Sequence, residues 1–335
     1  MNQLSLAGRT THGLRLEMAG LTIDSSLHLP ELVSGPRRQG TSATAAGPGA
    51  VLDDRVLRVR HHLCADVPGV AEDPPRFVPA EGGWEMVVGG IARVHVDLYG
   101  SLVRVTYRAG ADPLLLAHLV VDQAVPLVLV ARGRTVLHAT SVAEHGRAIA
   151  FLGPTGTGKS TLALGFAAEG ALLVADDCLV VVFRGSCAEV VPSYPSGRLR
   201  PDSVDALGLG MSTAAAAGGK HRVTLACAKG VLAPAVPLDR LFVLERDDTL
   251  PGPIIHRLSP VVAAWSVARN AFRSPTPNDS DPVRSIGALA AVRPIIDRVP
   301  VFSLRYPSDL AALADVRDAV RQAASVPGGS ASGRR

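Results

Sequence analysis

The 335-residue chain is poor in aromatic side chains, which make up only 4% of it. Its core must therefore be built from Ala, Val and Leu, and a hydrophobic share of 47% suffices for a large one. Cysteine is scarce as well. Cys64, Cys178, Cys187 and Cys227 form no C-x-x-C pair and show no metal-ligand spacing, so buried reduced thiols are expected rather than disulfides or a structural zinc site. Nor is there a strong excess of one charge. The net charge is +4, and the compact basic groups are confined to "SGRLRP" (Ser196 to Pro201) and "KHR" (Lys220 to Arg222). Without a basic stripe and stacking aromatics, no nucleic-acid partner is expected.

Uninterrupted apolar runs are missing too. The longest apolar stretch, "PLLLAHLVVDQAVPLVLVARG", is broken by His118, Asp122, Gln123 and Pro126. It reads as a core helix followed by a strand, so no membrane span is expected. The first residues show no basic region leading into an apolar core, which makes a cytoplasmic protein the expectation.

What is present divides the chain in three. Residues 1–125 read as a β-rich N-terminal region, with strands in "LRLEMAGLTIDSSL", "RVLRVRHHL" and "WEMVVGG" and a hairpin in "ARVHVDLYGSLVRVTYR". Within it, residues 34–50 have no apolar periodicity and are expected to be flexible. A helix is predicted from Asp112 to about Gln123, with Asp112 as N-cap and Pro113 at the first helical position. Residues 126–324 form the informative domain, and 325–335 a disordered tail.

In that second domain "TVLHATSVA" (Thr135 to Ala143) reads as one strand, "EHGR" as a turn and "AIAFLG" as the next strand. Then comes "GPTGTGKS", comprising Gly153, Pro154, Thr155, Gly156, Thr157, Gly158, Lys159 and Ser160, with Thr161 inside the helix that follows. Strand, G-x-x-x-x-G-K-[ST] and helix in succession make a phosphate-binding loop. Glycines let backbone N–H groups approach phosphate oxygens, and the helix N-terminus adds positive potential. Lys159 suits the β- and γ-phosphates, and the Ser160 hydroxyl suits Mg²⁺. A nucleoside triphosphate is the expected ligand.

The helix "KSTLALGFAAEG" leads straight into "ALLVADD", which ends in Asp176 and Asp177. A GTPase would carry an [NT]-K-x-D motif, but Asn270 and Asn278 are the asparagines downstream and neither precedes Lys. The acids instead close the next strand, at the carboxyl edge where α/β sheets bind ligands. One carboxylate suits Mg²⁺ and the other the proton of an attacking hydroxyl. Adjacent strand residues point to opposite faces, so both reach one site only through a bulge or twist.

The stretch from Leu137 to Asp177, with His138 ahead of the loop and "LVADD" behind it, resembles the catalytic core of HPr kinase/phosphorylase and related kinases. The looser matches "SYPSGRLRPDS" and "KHRV" resemble the HPr-kinase-related branch of peptide-modification clusters, which includes lasso-peptide kinases. The resemblance implies an α/β fold with an HPr-kinase/PEP-carboxykinase-like core. It further implies ATP and Mg²⁺, and a peptide or protein acceptor with a Ser hydroxyl. By it, Asp176 is the base, His138 orients Asp176, and Asp177 joins Ser160 as metal ligand. Members assemble into rings or dimers, so a homo-oligomer is open. On charge grounds Arg198, Arg200, Lys220 and Arg222 are the cations suited to the transferred phosphoryl group, Lys220 as a catalytic residue and Arg198 in nucleotide binding. Two other readings stay open: a nucleotide-binding regulator with little turnover, and a kinase for small hydroxyl compounds.

Overall fold

The computed structural model describes residues 14–29, 56–67, 69, 75–194, 196–207, 213–216, 220–224, 235–275 and 282–325. The segment expected to be flexible (34–50) lies outside them, as does the expected disordered tail (325–335) except Ser325, which ends a helix. The chain is a mixed α/β protein with three sheets.

Alternation builds the first sheet. Strands β1 (Leu14–Met18), β2 (Leu21–Ser25), β3 (Val56–Cys64), β4 (Val78–Ala80), β5 (Gly83–Val88), β6 (Ala92–Asp97) and β7 (Leu102–Arg108) pair in the order β1-β2-β3-β7-β6-β5-β4. Ala92, Val94 and Val96 of β6 are buried while the residues between them are not, the period-2 pattern of a sheet with one covered face.

The covering element is helix α1, Pro113–Ala131. Its N-cap Asp112 accepts from the Leu114 amide at 2.9 Å, as its sequence predicts. The expected strand after Gln123 does not form. The helix continues through a wider π segment, Leu119–Ala124, into Val125–Ala131. Pro126 has no N–H to donate and its ring crowds the preceding turn, and a wider turn relieves that crowding. Leu116, Val120, Val121, Val125 and Val128 pack on the first sheet. Of the described helices, α1 alone is long and apolar enough by length and composition to cross a membrane, and it is mostly buried here. The expected boundary at 125/126 falls inside it.

The second sheet contains β8 (Thr135–Leu137), β9 (Ala139–Glu144), β10 (Arg147–Leu152), β11 (Leu172–Ala175), β12 (Leu179–Arg184), β13 (Cys187–Val191), β17 (Val236–Arg246), β18 (Ile254–Arg257) and β19 (Val301–Tyr306). Its order is β11-β9-β10-β17-β13-β12-β8, with β19 also on β17 and β18 on β19. The two end pairs are joined by short links: β8 runs into β9 through His138, and β11 into β12 through Asp176–Cys178. The sheet therefore turns back on itself, and both links sit where its ends meet. The single strand expected over 135–143 is thus two strands with different partners, because β8 pairs with β12 while β9 pairs with β10 and β11.

Helix α2 (Lys159–Ala168) and helix α6 (Leu313–Ser325) pack on one face of this sheet around Phe151, Phe166 and Phe242. Phe151 and Phe242 lie 6.1 Å apart between ring centroids, and Phe242 and Phe302 5.4 Å, in register across β10, β17 and β19. Few aromatics exist, yet three form this row, and Phe166 of α2 stacks on Phe151 at 5.9 Å. Helices α4 (Pro260–Arg269) and α5 (Pro282–Ile296) cover the other face. Along the chain, α5 and β19 lie between α4 and α6. A third sheet, β14 (Ser196–Leu199), β16 (Lys220–Thr224) and β15 (Thr213–Ala216), carries helix α3 (Pro201–Ala206) and lies beside α2. In it β15 pairs antiparallel with β16.

Candidate functional site

A cavity of about 880 Å³ opens at the carboxyl end of β10. Thr155, Gly156, Gly158, Lys159, Ser160 and Thr161 line one side, while His138, Asp177, Arg198 and, from α1, His118 and Asp122 line the other. The sequence thus brought loop, histidine, acid and Arg198 to one place. Gly153, Pro154 and Thr157 shape the loop from behind the wall.

The loop takes its form from positive backbone angles. Gly153, Gly156 and Gly158 have φ of 147°, 92° and 94°. A Cβ on Gly158 would stand 2.7 Å from the Tyr306 hydroxyl and 2.8 Å from Arg246 Nη2. Tyr306 donates to the Thr157 carbonyl at 2.5 Å, and Gly153 N–H donates to Asn270 Oδ1 at 3.1 Å. The first turn of α2 carries no side-chain cap, so its amides face the cavity available to an anion. Lys159 Nζ donates to the Gly153 carbonyl at 2.7 Å and lies 3.3 Å from His138 Nε2.

The two adjacent acids have different surroundings. Asp176 is 1% exposed and absent from the cavity wall. Its Oδ1 accepts from the Thr140 hydroxyl at 2.7 Å and the Ser160 hydroxyl at 2.8 Å, and its Oδ2 from the Arg198 amide at 3.1 Å. Gly197 allows that last approach, since a Cβ there would sit 2.8 Å from Leu164 Cδ1. Burial, and then the charge of Asp177, raise the Asp176 carboxyl above the ordinary range, against the pull of the two hydroxyls.

Asp177 faces the cavity. Its φ of 60° is unusual for a residue with a side chain, and the Cys178 amide closes a three-residue turn onto the Asp176 carbonyl at 2.7 Å. A bulge or twist was expected here, and the turn follows a break in the β11–β9 register between Leu173 and Ala175. Arg198 Nη2 lies 2.5 Å from Asp177 Oδ2. Burial opposes ionisation at Asp177, but Arg198, then His138 and Lys159, outweigh it and hold the carboxyl below its usual range.

His138 was expected beside Asp176. Instead its Nδ1 lies 3.3 Å from the Asp177 carbonyl and 3.9 Å from Asp177 Oδ1. The ring occupies the link between β8 and β9, where the Asn270 carbonyl takes its amide at 2.7 Å and Phe272 packs edge-on at 6.0 Å. Burial, then Lys159, lower its pKa.

Among the other expected cations, Arg200 lines the cavity. Lys220 and Arg222 have described backbone on β16, with Arg222 paired to Arg198, while their side chains lie outside the described atoms. Sequence reasoning missed Thr140, Asn270, Arg246, Tyr306 and Tyr194. It also passed over Asp122, although a His and an Asp four apart in an apolar helix were a visible signal.

The Ser160 hydroxyl on a buried carboxylate, with a second carboxylate in the cavity wall, is a donor set that fits Mg²⁺ shared with phosphates. Among the described residues no cluster of three or more His, Cys, Asp or Glu forms a metal cage, and such a shared ion requires none.

No protein-family model matches the chain, and no characterised protein matches it in sequence. Among solved structures it is similar to the HPr(Ser) kinase/phosphatase from Coxiella burnetii, at 15% identity, over 56% of this chain and 95% of that one, with a TM-score of 0.30. So low a superposition carries no weight for function, and the site's own geometry must.

Proposed function

We propose that the chain is an ATP-dependent kinase that phosphorylates an alcohol, a serine-type hydroxyl on a peptide or protein. The observation that carries this reading is the Asp177 carboxylate, turned by a left-handed residue into the same cavity that the phosphate loop lines. A triphosphate on the loop amides would present its terminal phosphorus to that acid.

In this reading Asp177 is the base. It accepts the proton of the acceptor O–H as the oxygen forms its bond to the γ-phosphorus, and the bond from that phosphorus to the β-bridging oxygen breaks to release ADP. The low pKa of Asp177 makes it a weak base, which suits a loose transition state where positioning outweighs basicity. Lys159 and Arg198 balance the charge spreading over the equatorial oxygens, and Arg246, against Gly158, adds a third cation in the wall. Asp176 acts through Ser160, orienting its hydroxyl for Mg²⁺, which when bound would neutralise β- and γ-phosphate charge. In this reading the base is Asp177 rather than Asp176, the reverse of what the resemblance implied. His138 steadies Asp177 and Lys159 from between them.

The test is phosphoryl transfer from radiolabelled ATP with Mg²⁺ to a library of serine peptides and, in parallel, to small hydroxyl compounds. Asp177→Asn is expected to lower transfer by about 10²-fold or more while nucleotide binding persists. Transfer that survives Asp177→Asn removes the base assignment. Nucleotide binding without transfer to any alcohol selects the regulator instead.

A further inference from the structure

The chain buries a second carboxylate near the site that the chemistry above does not use. Asp122 is 4% exposed and sits in the π segment of the long apolar helix α1. A charge there is costly unless it is paired and hydrogen-bonded, and its partners point one way. The Tyr194 hydroxyl donates to Asp122 Oδ1 at 2.7 Å. Arg198 Nη1 lies 3.2 Å from Asp122 Oδ2, and Asp122 Oδ2 lies 2.7 Å from His118 Nδ1.

The same Arg198 Nη1 is 2.6 Å from His118 Nδ1. One ring nitrogen cannot both accept from Arg198 and donate to Asp122, so the tautomer of His118 decides which of the two it serves. Nη1 is thus ion-paired with Asp122 beside the His118 ring, while Nη2 serves Asp177 at 2.5 Å. Arg198 spans two carboxylates, one in the cavity and one on the helix that covers the N-terminal sheet. A π turn is what a helix uses to re-aim a side chain, and it is often found at functional sites.

We propose that Asp122, with His118 and Tyr194, is a positioning residue that anchors one end of Arg198, so that only the other end changes partner when Arg198 turns from Asp177 to the phosphoryl group. This rests on the kinase reading above. Held by Asp177 alone, Arg198 would give up its only charge partner to reach a phosphate, or stay on the base and block it. Anchored through Nη1, it exchanges Asp177 for the incoming anion at Nη2 without losing its place, and Asp177 is released to take the proton. Preorganised charge of this kind lowers the barrier more than it tightens ground-state binding. The N-terminal region is then a working part of the site rather than an appendage.

The experiment compares the full-length wild type with Asp122→Asn and with Tyr194→Phe, which frees Asp122 while keeping the packing. The measurements are kcat, the KM for Mg·ATP, and crystal structures with Mg²⁺ and a non-hydrolysable ATP analogue. Asp122→Asn is expected to lower kcat by about 10- to 100-fold with the KM for ATP unchanged, and Tyr194→Phe to act in the same direction but less. In an Arg198→Lys background the Asp122→Asn loss should largely vanish, since the route through Arg198 is already damaged. In the analogue complex Arg198 should be displaced in Asp122→Asn and in place in the wild type.

Equal losses of kcat in both backgrounds, or a fall confined to ATP affinity, overturn the proposal. If the wild type transfers no phosphoryl group at all, the kinase reading fails, and the crystal structures alone judge this one. An Arg198 side chain unmoved by Asp122→Asn refutes the anchor in either case. If Asp122→Asn does not fold, Tyr194→Phe with normal kinetics and an unmoved Arg198 does so.

Discussion

Arg198 holds Asp176 and Asp177 by different parts of itself: its backbone amide donates to Asp176 Oδ2 at 3.1 Å, and its Nη2 stands 2.5 Å from Asp177 Oδ2. This ion pair keeps the cavity-facing acid ionised against burial. A depressed folded-state pKa contributes stability that is present above the unfolded value and lost as pH falls through the folded one. The same shift keeps the base available down to unusually acid pH.

Replacing Arg198 with Met removes the strongest attraction on Asp177 and lets burial raise its pKa. The acid limb of kcat/KM is expected to move to higher pH, on top of a lower plateau from the lost cation. A pH profile of phosphoryl transfer checks it. An acid limb that stays where it is would show that Asp177 is not the group being titrated.

Asp176 calls for the opposite sign. Its pKa is raised on folding, so the folded state binds the extra proton and stability falls as pH rises from the ordinary Asp range through the raised value. Asp176→Asn removes that cost. The amide can still accept from the Arg198 N–H and donate to the hydroxyls of Thr140 and Ser160, which are able to accept. Thermal unfolding of the apo variant is expected at or above the wild-type temperature at pH 8, with a smaller gap at pH 5. Nucleotide affinity measured with Mg²⁺ should drop by about tenfold or more. A large destabilisation at pH 8 would mean that Asp176 is a structural ion after all.

Gly158 carries both a left-handed backbone and a crowded surface. Gly158→Ala costs about 1–2 kcal/mol for the conformation alone, before its methyl group meets the Tyr306 hydroxyl and Arg246. The expected result is loss of nucleotide binding with a small fall in melting temperature, read by calorimetric titration and thermal unfolding. Gly156→Ala meets nothing within 4 Å, so only its backbone strain should register.

The amino-acid order by itself determined the elements whose physics is local. The loop needs glycines, a lysine and a helix start within eight consecutive residues, and Asp112–Pro113 needs only the turn that follows it. Strands β6 and β7 declare themselves because one covered face imposes a period of two. The pairing of sheet ends was decided by the tertiary structure, because it joins residues far apart in the chain: β8 with β12, Asn270 with Gly153, Asp122 with Arg198. The same holds for the two neighbouring acids. Sequence places them side by side, but a single positive φ at Asp177 sends one carboxylate under Ser160 and the other into the cavity. A backbone angle of that kind is set by the turn between two packed strands, and no residue type announces it.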